Sequence, residues 1–175
     1  PDLVISDLRM PGTCGYADEL SDFTDLGCLG GFITKSITLR PRKGNPTPLI
    51  VETDSGMLNA IGLANIGLER FVAEKIPILE QFRPAVFVNV AGETIEEYIA
   101  VIDRLAGQKA LCGFELNISC PNVKMGGITF GTDPVQVESI TAAAKKACGD
   151  KKLMVKLTPS VTDIGLTARA AIQGG

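Results

Sequence analysis

The chain has 175 residues, 45% hydrophobic and 21% charged, which fits one globular domain with a sizeable core and excludes a disordered segment. Its net charge of −3 argues against a nucleic-acid surface, and no apolar run approaches the roughly 18 residues that cross a bilayer. Histidine is absent, so any proton transfer falls to Cys, Lys, Asp, Glu or Tyr.

The five cysteines (Cys14, Cys28, Cys112, Cys120, Cys148) are scattered and lack C-x-x-C spacing, so they read as reduced thiols of a cytoplasmic protein rather than a metal site. Residues 3–16 start apolar at Leu3, Val4 and Ile5 and end in a Gly-rich turn. A strand is expected there, although Asp7 and Arg9 suit a buried one poorly. Residues 17–29 have helical spacing, and residues 31–38 read as a strand ending near Lys35. Residues 39–66 hold several Pro and Gly and little periodicity. A connection of that length is usually functional. A helix follows, with Leu68, Phe71, Val72 and Leu79 roughly on one face and Pro77 inside its last turns.

Pro84 to Asn89 is a nearly continuous apolar strand of the kind buried in parallel sheets. Thr94 and Glu97 form a capping box for a helix whose inner stripe is Ile95, Tyr98, Ile99, Ile102 and Leu105. Phe114 to Asn122 begins as a strand, with Phe114, Leu116 and Ile118 alternating against Glu115, Asn117 and Ser119, and breaks at Pro121. That break crowds Asn117, Ser119, Cys120 and Asn122 at one strand end. Cys120 there is either a small buried hydrophobe or a functional thiol. Asp133-Pro134 opens a helix with Val137, Ile140, Ala144 and Ala147 on one side. Leu153 to Thr158 is a further strand, and Thr162 or Asp163 caps a last helix that ends at a glycine.

The order is β-α five times over, with no antiparallel hairpin required, which means a parallel α/β sheet. A doubly wound sheet and a (β/α)8 TIM barrel both satisfy that alternation. Lys35, Asn89, Asn117 and Lys156 each fall at or near the carboxyl end of a different strand, which is the barrel pattern, and no G-x-G-x-x-G follows the first strand. The expectation is a single partial barrel domain over residues 1–175, holding about five of the eight βα units. Both ends look cut: the chain opens on Pro1 and closes on a helix positioned to lead into another strand.

The run Asn117-Ile118-Ser119-Cys120-Pro121-Asn122-Val123-Lys124, with Gly126-Gly127 and Phe130-Gly131-Thr132-Asp133-Pro134, resembles class 1 dihydroorotate dehydrogenase. Gly44-Asn45-Pro46-Thr47-Pro48 and Met57-Leu58-Asn59-Ala60-Ile61-Gly62-Leu63 are similar to the same family, and Ile61 resembles its class 1B, NAD-linked branch. Dihydropyrimidine dehydrogenase has a related flavin domain, and a non-catalytic barrel fragment is the reading from outside enzymology. The resemblance implies an FMN-binding barrel that oxidises dihydroorotate to orotate in pyrimidine biosynthesis, a base taking the C5 proton while C6 passes hydride to FMN. It makes Cys120 that base. By the same resemblance, Lys35, Asn59, Asn117 and Asn122 are expected around the substrate, with the backbone at Ile61, Gly62 and Leu63 receiving its carboxylate. The resemblance likewise implies that Gly12, Lys35, Ser36, Asn89, Asn117 and Lys156 contact the flavin. It also implies a homodimer and an iron–sulfur/FAD electron-transfer subunit. Lys35 and Lys156 have a plainer reading as snorkelling lysines, and Asn89 as a turn residue. The chain departs from the family's small-Ser-Gly-Thr pattern at Met10-Pro11-Gly12-Thr13. The family's later phosphate-binding loops fall beyond Gly175, so weak or absent FMN binding, negligible turnover and a tendency to associate are expected of this piece alone.

Overall fold

A computed structural model of the protein describes residues 4–5, 15–16, 19, 25–119 and 128–175. Strands β1 (Val4–Ile5) and β2 (Gly31–Ile33) pair in parallel, Val4 opposite Gly31 and Ile5 opposite Phe32. Strands β3 (Ile50–Thr53) and β4 (Gly56–Asn59) form an antiparallel hairpin closed by Thr53 opposite Gly56. A helical run follows: α1 (Leu68–Arg70), a π turn over Phe71–Lys75, and α2 (Ile76–Leu79). Then come β5 (Ala85–Val90), α3 (Ile95–Ala106), β6 (Leu111–Asn117), α4 (Ile128–Thr132), α5 (Pro134–Ala147), β7 (Lys152–Lys156) and α6 (Ile164–Gln173).

The five parallel strands lie in the order β1-β2-β5-β6-β7, which is chain order without a reversal. A doubly wound sheet would reverse at a switch point, and none occurs among the described strands. Helix α3 packs on β5 and β6, α5 packs on β7, and α3, α5 and α6 lie side by side. Tyr98, Val101, Ile102 and Leu105 of α3 and Val137, Ile140 and Ala144 of α5 are buried in one cluster with Val86, Val88, Val90, Phe114, Leu116 and Ile118. Each such large apolar side chain contributes about 1.5–3 kcal/mol of burial. Because strand side chains alternate, Glu115 and Asn117 project from the face opposite Phe114, Leu116 and Ile118.

Local chemistry sets the helix ends. Thr94 accepts from the Glu97 N–H at 3.3 Å, but the Glu97 carboxylate takes the Glu93 N–H at 2.8 Å, so only half of the expected capping box forms. Asp133 accepts from the Val135 N–H at 3.0 Å. Asp163, not Thr162, caps α6, through the Gly165 N–H at 2.7 Å. The π turn answers Pro77. A proline ring collides with the carbonyl four residues back, here that of Ala73, and the wider i→i+5 turn ending in the bond from Ile76 N–H to Phe71 C=O relieves that crowding.

The expectation of uninterrupted β-α alternation is corrected by the β3–β4 hairpin inside the long connection. Both of its strands are exposed along their whole length, Ile50, Val51, Met57 and Leu58 included. A ribbon that buries neither face needs no period-two pattern, so none marked it in the sequence. Of the expected first strand Val4 and Ile5 are described as strand, and in residues 17–29 Glu19 is helical and Leu26–Cys28 is a 3-10 turn. Gly12, Cys120, Pro121, Asn122, Gly126 and Gly127 lie outside the described residues. No helix among the described residues is long and apolar enough to cross a membrane.

Candidate active site

On the sheet face turned away from the helices, the carboxyl ends of β5, β6 and β7 carry polar side chains in register. Asn89 stands opposite Glu115, and Asn117 opposite Lys156. Asn89, Glu115 and Asn117 are 5%, 9% and 6% exposed, so each must find its partners inside the protein. Asn89 Nδ2 donates to Glu115 Oε1 at 2.5 Å. Asn89 Oδ1 accepts from Ser36 Oγ at 2.5 Å and from Asn117 Nδ2 at 3.4 Å. Asn117 Nδ2 also donates to Ser36 Oγ at 3.2 Å, and Asn117 Oδ1 accepts from Ser119 Oγ at 3.1 Å. Helix α3 fixes the backbone beneath, the Tyr98 hydroxyl donating to the Asn117 carbonyl at 2.8 Å.

Ser36 reaches this group because the chain bulges. The ladder pairs Ile33 with Phe87 and, further on, Ile37 with Val90, so four steps on one side span three on the other. One extra residue is accommodated between them, the arrangement that re-aims side chains next to functional sites. Pairing holds on both sides of the bulge: Thr34 N–H donates to Phe87 C=O at 2.9 Å, and Ile37 N–H to Asn89 C=O at 2.8 Å. Inside the bulge, the Lys35 N–H donates instead to the Gly15 carbonyl at 2.8 Å.

The two motifs at residues 44–48 and 57–63 meet at the base of the hairpin. Asn45 N–H donates to Ile61 C=O at 3.1 Å and Asn45 Nδ2 to Ala60 C=O at 2.9 Å. Gly62 and Leu63 both have positive φ, 76° and 55°. A Cβ on Gly62 would sit 2.8 Å from the Asn45 backbone nitrogen, so glycine is required there. Leu63 in the left-handed region carries strain of about 1–3 kcal/mol, the kind that persists only where the surroundings hold it. Asn65 supplies the hold. Its Nδ2 donates to Leu63 C=O at 2.8 Å, and its Oδ1 accepts from Gly67 N–H at 2.9 Å and Thr38 N–H at 3.3 Å.

Of the residues expected from sequence, Ser36, Asn89 and Asn117 are joined directly, with Lys156 in register beside Asn117. Lys35 is half-buried beside Ser36 in the bulge, and Ile61, Gly62 and Leu63 form the strained turn. Asn59 sits on exposed β4, and among the described residues no side-chain hydrogen bond ties it or Lys35 to the Asn89–Asn117 group. Two buried residues escaped the sequence reading. Glu115 was visible as a lone charge on the Asn117 face of an otherwise apolar strand. Asn65 lies two residues after Leu63 in an aperiodic stretch and gave no signal.

The family described as "Dihydroorotate dehydrogenase" matches residues 9–175 of this chain. The chain is 48% identical to a Pelobacter propionicus protein named dihydroorotate dehydrogenase B (NAD(+)), catalytic subunit, over 100% of its own length and 60% of the relative's. Proteins of the same name from Citrifermentans bemidjiense and Geobacter sulfurreducens are 49% and 50% identical over 94% and 87% of this chain and 53% and 50% of theirs. The chain therefore spans about half the length of the curated relatives it matches. With nearly every residue inside the matched region, the chain belongs to the dihydroorotate dehydrogenase family.

Proposed function

We propose that this chain carries the substrate- and flavin-facing part of a class 1B dihydroorotate dehydrogenase, oxidising dihydroorotate to orotate with FMN. The observation that carries the reading is the hydrogen-bonded group of half-buried Ser36 with buried Asn89 and Asn117, drawn from three strand ends onto one face of the sheet. The names of the relatives favour it over a dihydropyrimidine dehydrogenase-like domain. Chain-ordered parallel strands with helices side by side support a (β/α)8 barrel, of which residues 1–175 form part of one domain.

The donor set fits a flavin. An isoalloxazine pyrimidine edge alternates N–H and C=O, which two carboxamides and a hydroxyl match, and an ammonium group beside them favours an anionic reduced ring. Asn89, Asn117, Ser36 and Lys156 would hold that edge, with Lys35 and Gly12 beside it. Bound FMN supplies a two-electron acceptor. The chain's own residues do the rest. Asn59, Asn117 and Asn122 orient the dihydropyrimidine through its amide edge, and the backbone of Ile61, Gly62 and Leu63 receives the carboxylate. Cys120 follows Ser119 in the chain and, as thiolate, takes the C5 proton. A free thiol has a pKa near 8.5 and is only a few per cent ionised at neutral pH, so turnover rises with pH until the thiol is deprotonated. A second copy and an iron–sulfur/FAD subunit complete the assembly; of these, the "catalytic subunit" in the relatives' names supports a partner subunit.

The test is anaerobic mixing of dihydroorotate with the flavin-loaded protein extended to the full length of its curated relatives, followed by absorbance. Bleaching of the flavin band is expected. In Cys120→Ala, with flavin retained, bleaching should slow by about 100-fold or more, the scale of a lost general base. Unchanged bleaching removes Cys120 from the role, and a protein that takes up no FMN removes the cofactor from this chain.

A further inference from the structure

Glu115 has no part in the function proposed above, yet a carboxylate 9% exposed on the active face must be there for a reason or be costly. We propose that Glu115 is a positioning residue that sets the donor and acceptor polarity of the whole strand-end group. A carboxylate only accepts, so Asn89 must turn its Nδ2 toward Glu115 Oε1, as it does at 2.5 Å. The opposite amide rotamer would set two oxygens against each other. With Nδ2 committed, Asn89 Oδ1 faces Ser36 and Asn117 and can only accept from them. That forces the Asn117 amide to present Nδ2 to the same pair, leaving its Oδ1 for the Ser119 hydroxyl at 3.1 Å. Every donor then runs one way: Ser119 to Asn117, to Ser36 and Asn89, and finally to Glu115.

An amide presents oxygen or nitrogen with nearly equal ease, so two adjacent carboxamides alone do not define a pattern. One buried acceptor at the end of the line defines it for all of them. For the ligand edge, the inference rests on the flavin reading: a ring with alternating N–H and C=O groups needs a site whose donors and acceptors are fixed in one pattern.

The experiment reads the side-chain amide 1H–15N resonances of Asn89 and Asn117 in the intact chain, in Glu115→Leu and in Glu115→Gln. A charge-assisted bond is roughly twice as strong as a neutral one, so the wild-type Asn89 amide proton should lie downfield and exchange slowly. Glu115→Gln should keep the protection with a smaller downfield shift. Glu115→Leu should lose the protection and move the Asn117 resonance as well. An Asn89 signal unchanged in both variants overturns the proposal, and so does an Asn117 signal unmoved in folded Glu115→Leu. Should the leucine variant not fold, an Asn89 proton unshifted in Glu115→Gln overturns it by itself. In FMN titrations of the full-length protein followed by fluorescence, Glu115→Leu should bind about tenfold more weakly, with Glu115→Gln within about threefold of wild type. FMN failing to bind the wild type counts against the flavin reading, and the amide shifts still decide the role of Glu115.

Discussion

Ser36 Oγ donates to Asn89 Oδ1 at 2.5 Å across a strand pair that has one residue more on the Ser36 side. The extra residue and the contact belong together: without it, Ser36 would take a different register position and the opposite face. Among the described residues, Ser36→Ala leaves Asn89 Oδ1 with only the longer bond from Asn117. A loss of about 1 kcal/mol in urea-unfolding free energy is expected, with helix content by circular dichroism unchanged.

Asn65→Ala should cost more. The amide is buried and answers Thr38, Leu63 and Gly67 together. Removing it strands several backbone groups and frees the strained Leu63 turn, for about 2–4 kcal/mol in denaturant unfolding. Limited proteolysis should then cut within residues 60–66. Resistance equal to wild type there would show that Asn65 does not hold the turn.

Gly113→Ala and Gly107→Ala make an internal pair. A Cβ at Gly113, which stands opposite Phe87 on β5 and Lys152 on β7, would meet the Lys152 carbonyl oxygen at 2.2 Å and the Phe87 ring at 2.9 Å. Backbone cannot step aside cheaply, so this variant should lose about 3 kcal/mol or more, or fail to accumulate as soluble protein. Gly107 ends α3 with nothing within 4 Å of an added Cβ, and alanine there should be neutral or stabilise by up to about 1 kcal/mol.

Burial pushes the Cys148 thiol up from its ordinary range, because the thiolate loses solvation between α5 and β7. A raised native pKa stabilises the fold below the unfolded value and is lost as pH climbs through the native one. Cys148 should therefore contribute to a fall in stability at alkaline pH that Cys148→Ala lessens, read from melting temperature against pH. Peptide mapping after brief alkylation should find exposed Cys28 and Cys112 labelled and Cys148 intact until the protein unfolds.

Most of the architecture was readable because burial leaves a period. The stripes on α3 and α5 and the apolar run of β5 face one core, and the Asp133 and Asp163 caps carry their own chemistry. Helix α2 was legible only in outline, since a proline announces trouble without saying whether the helix stops or widens. The β3–β4 ribbon left no trace because exposure imposes no pattern. At the site, Asn89 and Asn117 stood out as carboxamides at strand ends, whereas the Ser36 contact depends on a bulge, a difference of one residue between two strands. Register is a property of a pair, and neither strand records it alone.

A sheet laid down in chain order also bears on how the polypeptide matures. Each new parallel strand docks on an edge made by its predecessor, and the ribbon at residues 50–59 closes on itself. During synthesis from the ribosome, no strand of this sheet has to wait for a later one to be inserted between it and the preceding one. Assembly can therefore keep pace with translation, adding one β-α unit at a time, so that new mispairing is confined to the β1 edge and the growing edge.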